Sequence, residues 1–166
     1  RKDSLSKIRG LAAIEAARLD FLATGDQSIL LVQMATTYKC LAEAFNMIEK
    51  SEQSLEASRI SLQYDDDHRT HFNIGVSYTL SGETHKAIEA FEESVRLSPL
   101  LGEALVNLGV LYSKIGRHHD AIERLSRAAE AIEENSRIYF QLGFSNSRIG
   151  ENKVAVDAFN KAIDID

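Results

Sequence analysis

Histidines and clustered carboxylates are the side chains of this sequence that could carry out metal or acid–base chemistry. The carboxylates form the run 65–67, which directly precedes His68 and lies near His71. An Asp-Asp-Asp-His sequence could ligate a divalent cation through oxygen and imidazole donors. Clustered acids before a helix more often complement the helix dipole. We therefore expect a solvated connector here, with Asp67 at the N-terminal cap of the helix that follows.

Nucleophilic and phosphate-binding chemistry has little support in the sequence. Cys40 is the single cysteine and has no neighbouring histidine or basic pair, so a buried structural thiol is its expected role. His118 and His119 lie in a predicted turn between helices, where we expect surface exposure, and His85 belongs to no motif. The motifs G-x-x-x-x-G-K-[ST], G-x-G-x-x-G, H-E-x-x-H and G-x-S-x-G are all absent. The sequence therefore predicts a chain that is not an enzyme and that needs no cofactor or metal.

The composition is typical of an all-helical protein. Of the 166 residues, 44% are hydrophobic and 27% are charged, and only one is proline. The net charge of -6 lacks the basic excess that nucleic-acid binding requires. The longest apolar run near Ile29 covers residues 29–32, far short of the roughly 20 residues that span a bilayer. We expect no membrane insertion, a cytoplasmic location and, because the chain begins at Arg1, a fragment of a longer protein.

A period of 34 residues relates glycine, alanine and bulky apolar positions in residues 68–166. Two sets of glycines follow this period, and we call them the mid-helix glycines and the terminal glycines. The mid-helix glycines are Gly75, Gly109 and Gly143; the terminal glycines are Gly82, Gly116 and Gly150; the same step relates Ala87, Ala121 and Ala155, and also Phe91, Leu125 and Phe159.

Each copy of the period is predicted to form two antiparallel helices. Apolar residues at helical spacing place the first helices at 70–80, 103–115 and 137–149. The terminal glycines end them, because glycine adopts the left-handed cap conformation at little cost. A glycine inside a helix costs about 1 kcal/mol relative to alanine. The mid-helix glycines therefore indicate close helix–helix contacts, with the periodic alanines as their expected partners.

These features resemble the tetratricopeptide repeat (TPR), a 34-residue helix–turn–helix motif with a large–small–aromatic pattern. The matching segments are Ile74-Gly75-Val76-Ser77-Tyr78, Leu108-Gly109-Val110-Leu111-Tyr112 and Leu142-Gly143-Phe144-Ser145-Asn146. Two departures are Asn146 in place of the tyrosine, and Glu133 where the first copy has Pro99. The resemblance implies an all-α, right-handed superhelical solenoid of antiparallel helix pairs, with repeats at 68–101, 102–135 and 136–166, the last truncated.

Residues 1–67 do not continue the period cleanly, and three interpretations stay open. An amphipathic helix through Leu5, Ile8, Ala12, Ala16, Leu19 and Ala23, closed by 24–26, would make 11–44 a divergent copy. A second frame aligns Leu31, Ala35 and Tyr38 with the large–small–aromatic pattern and pairs them with Ile48 and Leu55. A third is one long or kinked helix, since residues 28–62 contain neither Gly nor Pro. We favour two or three helices that extend the stack as a divergent or partial TPR.

The resemblance implies that the first helices line a concave groove that binds a partner protein. The apolar residues of this groove favour contact with apolar side chains of the partner. Asn73, Asn107 and Gln141 could bind the main chain of an extended peptide through their amides, and the cations favour a partner with acidic residues. The implied groove residues are Arg69, Phe72, Asn73, Val76, Leu80, Val106, Asn107, Val110, Lys114, Arg137, Phe140, Gln141, Phe144 and Arg148.

The predicted function is that of a non-catalytic scaffold or adaptor that holds a peptide or helix of a partner protein. Chaperone-binding TPR domains carry a lysine and an asparagine where this sequence has Phe72 and Val76, so recognition of an EEVD-type tail is disfavoured. A second hypothesis is self-assembly into homo-oligomers, for example on a membrane organelle, through Val154, Ala158 and Ile163. A third is a regulatory module of a larger enzyme.

Overall fold

The fold is that of a computed structural model, which describes residues 16, 19 and 27–165. Residues 27–165 form eight helices and no strand. No helix in this range is both long enough and apolar enough to cross a bilayer. The helices are α1 (Gln27–Met47), α2 (Ser51–Leu62), α3 (His68–Leu80), α4 (Thr84–Leu97), α5 (Gly102–Lys114), α6 (His118–Ala131), α7 (Ser136–Arg148) and α8 (Asn152–Ile165).

The chain divides into two compact units, residues 1–90 and 91–166, and α4 crosses the boundary. In the first unit, α1 packs against α2 and α3 packs against both. In the second unit, α5 pairs with α6 and α7 with α8, while α7 also packs on α5 and α6. Because the connections within these pairs are only a few residues long, the paired helices run antiparallel. The predicted all-α array of helix pairs is confirmed.

The terminal glycines follow the ends of α3, α5 and α7, as predicted. Gly82, Gly116 and Gly150 have φ angles of 75°, 80° and 88°, which are left-handed. At each of these ends the next residue donates its N–H to a carbonyl five residues earlier, as in Glu83 N to Tyr78 O at 2.9 Å. This bond and the left-handed residue together form the Schellman motif, which satisfies the last carbonyls of a helix and turns the chain back.

The same motif ends α1 without a glycine. Glu49 has a φ of 57°, and Lys50 N donates to Phe45 O at 2.9 Å. Phe45 therefore corresponds to Tyr78, which lies 33 residues later, one fewer than the period of the later copies. The pairing of α1 with α2 rules out one long helix, and its register differs from the predicted frame in which Tyr38 took the aromatic position. Ala16 and Leu19 are helical and exposed, while the rest of the predicted N-terminal helix and the 24–26 segment lie outside the described residues.

Replacing Glu49 with glycine is expected to raise the free energy of unfolding by about 1 kcal/mol. A side chain in the left-handed conformation places Cβ too near the following carbonyl oxygen, which costs roughly 1–2 kcal/mol, and the gain is partly offset by the backbone entropy of glycine. Thermal and urea unfolding of Glu49→Gly would measure the change. Glu49→Ala removes the same carboxylate but keeps Cβ, so an equal stabilisation in that control would contradict the conformational explanation.

Small polar side chains occupy the interior of the first unit. The hydroxyl of Ser77 lies 2.8 Å from Asn46 Oδ1, from Ser54 Oγ and from the Asn73 carbonyl, and it is completely buried. Ser54 Oγ in turn donates to the Ala42 carbonyl at 2.9 Å. These hydrogen bonds join α1, α2 and α3, because each helix contributes at least one member. The register of the three helices is therefore specified by polar contacts as well as by apolar burial.

The second unit has an apolar core into which two of the mid-helix glycines, Gly109 and Gly143, fit. A Cβ on Gly109 would lie 2.7 Å from Leu125 Cδ2, and one on Gly143 would lie 2.7 Å from Phe159 Cδ1. The predicted close contacts therefore exist in this unit. Their partners are the bulky Leu125 and Phe159 of the second helices, where the sequence predicted the periodic alanines.

Two further sequence-based expectations concern Cys40, which is not buried as expected, and Asp67. Cys40 is exposed, because it lies on the side of α1 opposite the buried Ala35 and Ala42. Asp67 stands at the N-cap position of α3, as predicted, and its side chain binds Lys39 Nζ of α1. Burial raises the pKa of the Asp67 carboxyl, but the hydrogen bond and charge of Lys39 outweigh that effect and hold the pKa below its ordinary value.

Candidate peptide-binding groove

A groove lies between α5 and α7 in the second unit, and we call it the α5–α7 groove. It encloses about 550 Å³. The helices α5 and α7 occupy equivalent places in successive pairs, so side chains at the same helical position line its two walls. The lining residues are Val110, Ser113, Lys114, Gly116, His118, Gln141, Phe144 and Arg148. Five of the predicted groove residues are among them: Val110, Lys114, Gln141, Phe144 and Arg148.

Two cations give the α5–α7 groove a positive rim. Lys114 and Arg148 occur in the last turns of α5 and α7 and are exposed. Neither has an ion-pair partner in the part of the chain that the structure describes. No carboxylate occurs among the described residues that line the groove. The site therefore has a local positive charge although the whole chain has a net charge of -6.

An aromatic surface with a polar edge lies beside these cations. Phe144 keeps 42% of its surface exposed. The imidazole of His118 contacts it edge-on, with ring centroids 6.2 Å apart and the planes at 69°. His118 Nδ1 is buried and has no hydrogen-bond partner in the described structure. The exposed part of the Phe144 ring is therefore an apolar face on which a side chain of a ligand could be held.

His118 is one of three lining residues, with Ser113 and Gly116, that the sequence analysis did not predict. Its position in a turn suggested surface exposure, but the structure places it in the first turn of α6, half-buried against Phe144 of α7. Its neighbour His119 is exposed, as expected. One signal in the sequence could have indicated this position. His118 lies two residues after Gly116, where the chain turns back from α5 into α6, and α6 packs against α7.

Arg137 and Phe140 belong to a different surface. Both line a groove between α7 and α8, together with Ser136, Phe159, Ala162 and Ile163. The rings of Phe140 and Phe159 are 5.8 Å apart. The single apolar strip that the sequence predicted along α5 and α7 is therefore divided, in this unit, between two separate grooves.

Val106 and Asn107 contribute little to either groove. Val106 is 7% exposed, so its predicted place in an open groove wall is wrong. Asn107 is half-buried and lines neither groove.

In the first unit, Asn73 is used within the chain. The side-chain amide of Asn73 donates to the main-chain carbonyl of Lys39 in α1 at 3.1 Å. The main-chain carbonyl of Asn73 accepts a hydrogen bond from Asn46 Nδ2 at 2.9 Å. The residue is buried, so the predicted role of this amide in binding a peptide main chain is wrong. The amide instead fastens α3 to α1.

The remaining predicted residues of the first unit lie on α3 with differing exposure. Leu80 is exposed, while Phe72 and Val76 are half-buried. Arg69 is exposed and lies 3.4 Å from the Glu43 carboxylate of α1, so its charge is already partly balanced. Among the predicted groove residues, therefore, Arg69 contributes less free positive charge than Lys114 and Arg148 of the α5–α7 groove.

Two family models, both described as tetratricopeptide repeat, match more than half of the chain. One matches residues 68–99 and 136–166, and the other matches residues 104–137. No curated protein sequence matches the chain.

Solved structures share the fold at low sequence identity. A crystal structure of MamA has a TM-score of 0.76 and 21% identity, and the match covers 98% of this chain and 92% of that one. A fragment of MamA from Desulfovibrio magneticus RS-1 has a TM-score of 0.74 and 20% identity, covering 80% and 76%. YrrB, described as a TPR protein with an unusual peptide-binding site, has a TM-score of 0.72 and 16% identity, covering 92% and 84%. At these identities the likeness concerns the fold.

Proposed function

Because this chain belongs to the tetratricopeptide repeat family, whose fold is a scaffold for protein–protein interaction, we propose that it binds a peptide segment of a partner protein in the α5–α7 groove. The observation that carries this proposal is the position of Lys114 and Arg148, which have no ion-pair partner among the described residues, next to the exposed face of Phe144. YrrB provides a precedent for peptide binding within the same fold.

The ligand class follows from the chemistry of the groove. Cations on an exposed rim attract carboxylates and speed association. The Phe144 ring favours an aliphatic or aromatic side chain, and the Gln141 amide can both donate to and accept from a main chain. The best ligand is therefore an extended peptide that carries Asp or Glu next to an apolar residue.

Charge reversal in the groove is expected to weaken binding of such peptides by about 30-fold, equivalent to about 2 kcal/mol. Peptides would be selected from a displayed random library on the unmodified protein, and their affinities measured by fluorescence anisotropy. The variant Lys114→Glu/Arg148→Glu is compared with Lys153→Glu/Lys161→Glu, which makes the same change of net charge on α8. We also expect the selected peptides to be enriched in acidic residues.

Equal affinity for the two double variants would contradict the proposed site, as would a library that yields no binding peptide. Phe144→Ala provides an independent check, with an expected loss of about tenfold. Circular dichroism of each variant confirms that the helices are intact.

Self-assembly is the competing function. Val154 and Ile163 of α8 are exposed while Ala158 is half-buried, so part of the surface predicted for assembly is available. Sedimentation velocity over a wide range of protein concentrations distinguishes the two functions, because only self-assembly makes the apparent mass rise with concentration.

A further inference from the structure

The residues that line the α5–α7 groove follow the same order on both of its walls. Val110 precedes Lys114 by four residues on α5, and Phe144 precedes Arg148 by four residues on α7. Val110 and Phe144 are one period of 34 residues apart, and so are Lys114 and Arg148. The groove therefore has an apolar tier, formed by Val110 and Phe144, and a cationic tier, formed by Lys114 and Arg148.

Helix geometry sets the separation of the two tiers. Residues four positions apart lie on the same side of an α-helix, about 6 Å apart along its axis. A ligand that contacts both tiers must therefore present an apolar and an acidic side chain on one face, with about the same separation.

Gln141 favours an extended ligand over a helical one. It lines the same wall three residues before Phe144, is half-buried and makes no hydrogen bond among the described residues. A side-chain amide can both donate and accept. The main-chain N–H and C=O groups in the interior of a helix are already paired, whereas those of an extended peptide are free. The amide of Gln141 can therefore bind the main chain of an extended ligand beyond the apolar tier.

On one face of an extended peptide, two side chains are next to each other when they are two positions apart in sequence. Successive side chains point to opposite faces, so residues that are adjacent in sequence cannot both enter the groove. Side chains two positions apart share a face and are about 6.6 Å apart, close to the separation of the tiers. Those three positions apart point to opposite faces again, and those four positions apart are separated by about 13 Å.

We propose that the α5–α7 groove selects an apolar and an acidic residue that are two positions apart in an extended peptide, with the intervening side chain directed to solvent. This inference rests on the proposed function and specifies its ligand. The apolar tier binds the apolar side chain, the cationic tier binds the carboxylate, and Gln141 binds the main chain beyond the apolar residue. The spacing is the same for either direction of the peptide chain.

Four end-blocked peptides of identical composition test this spacing. Each contains one Leu and one Glu in a host of Ser and Thr, with zero, one, two or three residues between them. Affinities for the whole isotope-labelled protein are measured by NMR chemical-shift titration, which detects the weak binding of short peptides. We expect the peptide with one intervening residue to bind about tenfold more tightly than each of the others, because only this peptide makes both contacts. Its binding should also shift the side-chain amide resonances of Gln141.

Modified peptides and groove variants assign the contacts. Proline at the intervening position should change affinity by less than about threefold, because proline is compatible with an extended chain but not with a helix interior. In the variant Lys114→Glu/Arg148→Glu, the same peptide with Lys in place of Glu should bind about tenfold more tightly than the original. In Phe144→Ala, the advantage of Leu over Ser in the peptide should fall below about threefold.

Equal affinity for all four spacings, with binding still lost in Lys114→Glu/Arg148→Glu, would overturn this inference and leave the proposed function in place. So would library-selected peptides that bind the groove without this spacing. Tightest binding of the peptide with three intervening residues would also overturn it, because side chains four positions apart are about 6 Å apart in a helical ligand. A protein that binds neither these peptides nor any from the displayed library would overturn both proposals.

Discussion

Replacing Gly109 with leucine is expected to lower the free energy of unfolding by about 4 kcal/mol, enough to unfold much of the second unit near room temperature. A Cβ at this position would lie 2.7 Å from Leu125 Cδ2, and closer still to Cγ. Leu125 is 0% exposed, so it has no free space into which it can move. Forcing extra carbon atoms into a packed core typically costs 1–3 kcal/mol, and more where the backbone must separate. Urea and thermal unfolding followed by circular dichroism would measure the loss.

Gly116→Leu is the matched control for this prediction. No atom lies within 4 Å of a Cβ at Gly116, and the backbone there has a φ of 80°. Only conformational strain should appear in this variant, about 1–2 kcal/mol. A Gly109→Leu protein that is as stable as Gly116→Leu would contradict the close approach of α5 and α6.

A double-mutant cycle tests the named partner directly. Leu125→Ala alone should cost about 2–5 kcal/mol because it leaves a cavity. In the Gly109→Ala/Leu125→Ala variant the new methyl group enters that cavity. The double variant should therefore lose less unfolding free energy than the sum of the two single-variant losses, by about 1 kcal/mol or more. Strict additivity would show that Leu125 does not limit the space at Gly109.

Replacing Ser77 with valine is expected to cost about 3 kcal/mol of unfolding free energy in the first unit. The valine would add bulk where Ser77 is completely buried, and it would leave Asn46 Oδ1 without the hydroxyl that lies 2.8 Å away. Overpacking and an unsatisfied buried acceptor each cost about 1–3 kcal/mol. The change is measured by the same unfolding experiments.

Two further variants separate these contributions. Ser77→Ala removes the hydrogen bonds without adding bulk, so it should cost about 1 kcal/mol. Ser126→Val makes the same substitution at an exposed position of α6 and should change stability by less than about 0.5 kcal/mol. If Ser77→Val and Ser126→Val were equally stable, the hydroxyl network would not specify the packing of α1, α2 and α3.

Glycine was the most informative residue type in the sequence, because its structural roles depend on local geometry. Gly82, Gly116 and Gly150 have the left-handed φ that their position after a helix predicted. Gly109 and Gly143 lie at close contacts in which a Cβ would not fit. In both roles the missing side chain is itself the requirement, so the residue type reveals the geometry before any neighbour is known.

The α1–α2 pair was predicted less well. Here alanine and serine allow the two helices to pack closely without the 34-residue glycine pattern of the later pairs. Glu49 replaces the terminal glycine, and the register is 33 residues, so an alignment at 34 loses every match. Ala42, Ser54 and Ser58 are all buried in this pair, but none of them is distinctive in sequence. Such residues can be assigned to the interior only when the neighbouring helices are known.

The sequence by itself determined the helix pairs, their ends and the family, since these depend on interactions between residues close along the chain and on a period repeated three times. The tertiary structure decided which side chains face a partner. Asn73 and Gln141 occupy equivalent positions, yet Asn73 binds the α1 backbone whereas Gln141 lines an open groove. Val106 and Phe140 are equivalent too, yet Val106 is 7% exposed and Phe140 is 51% exposed. Exposure depends on which helix packs next to a residue, and that contact comes from a distant part of the chain.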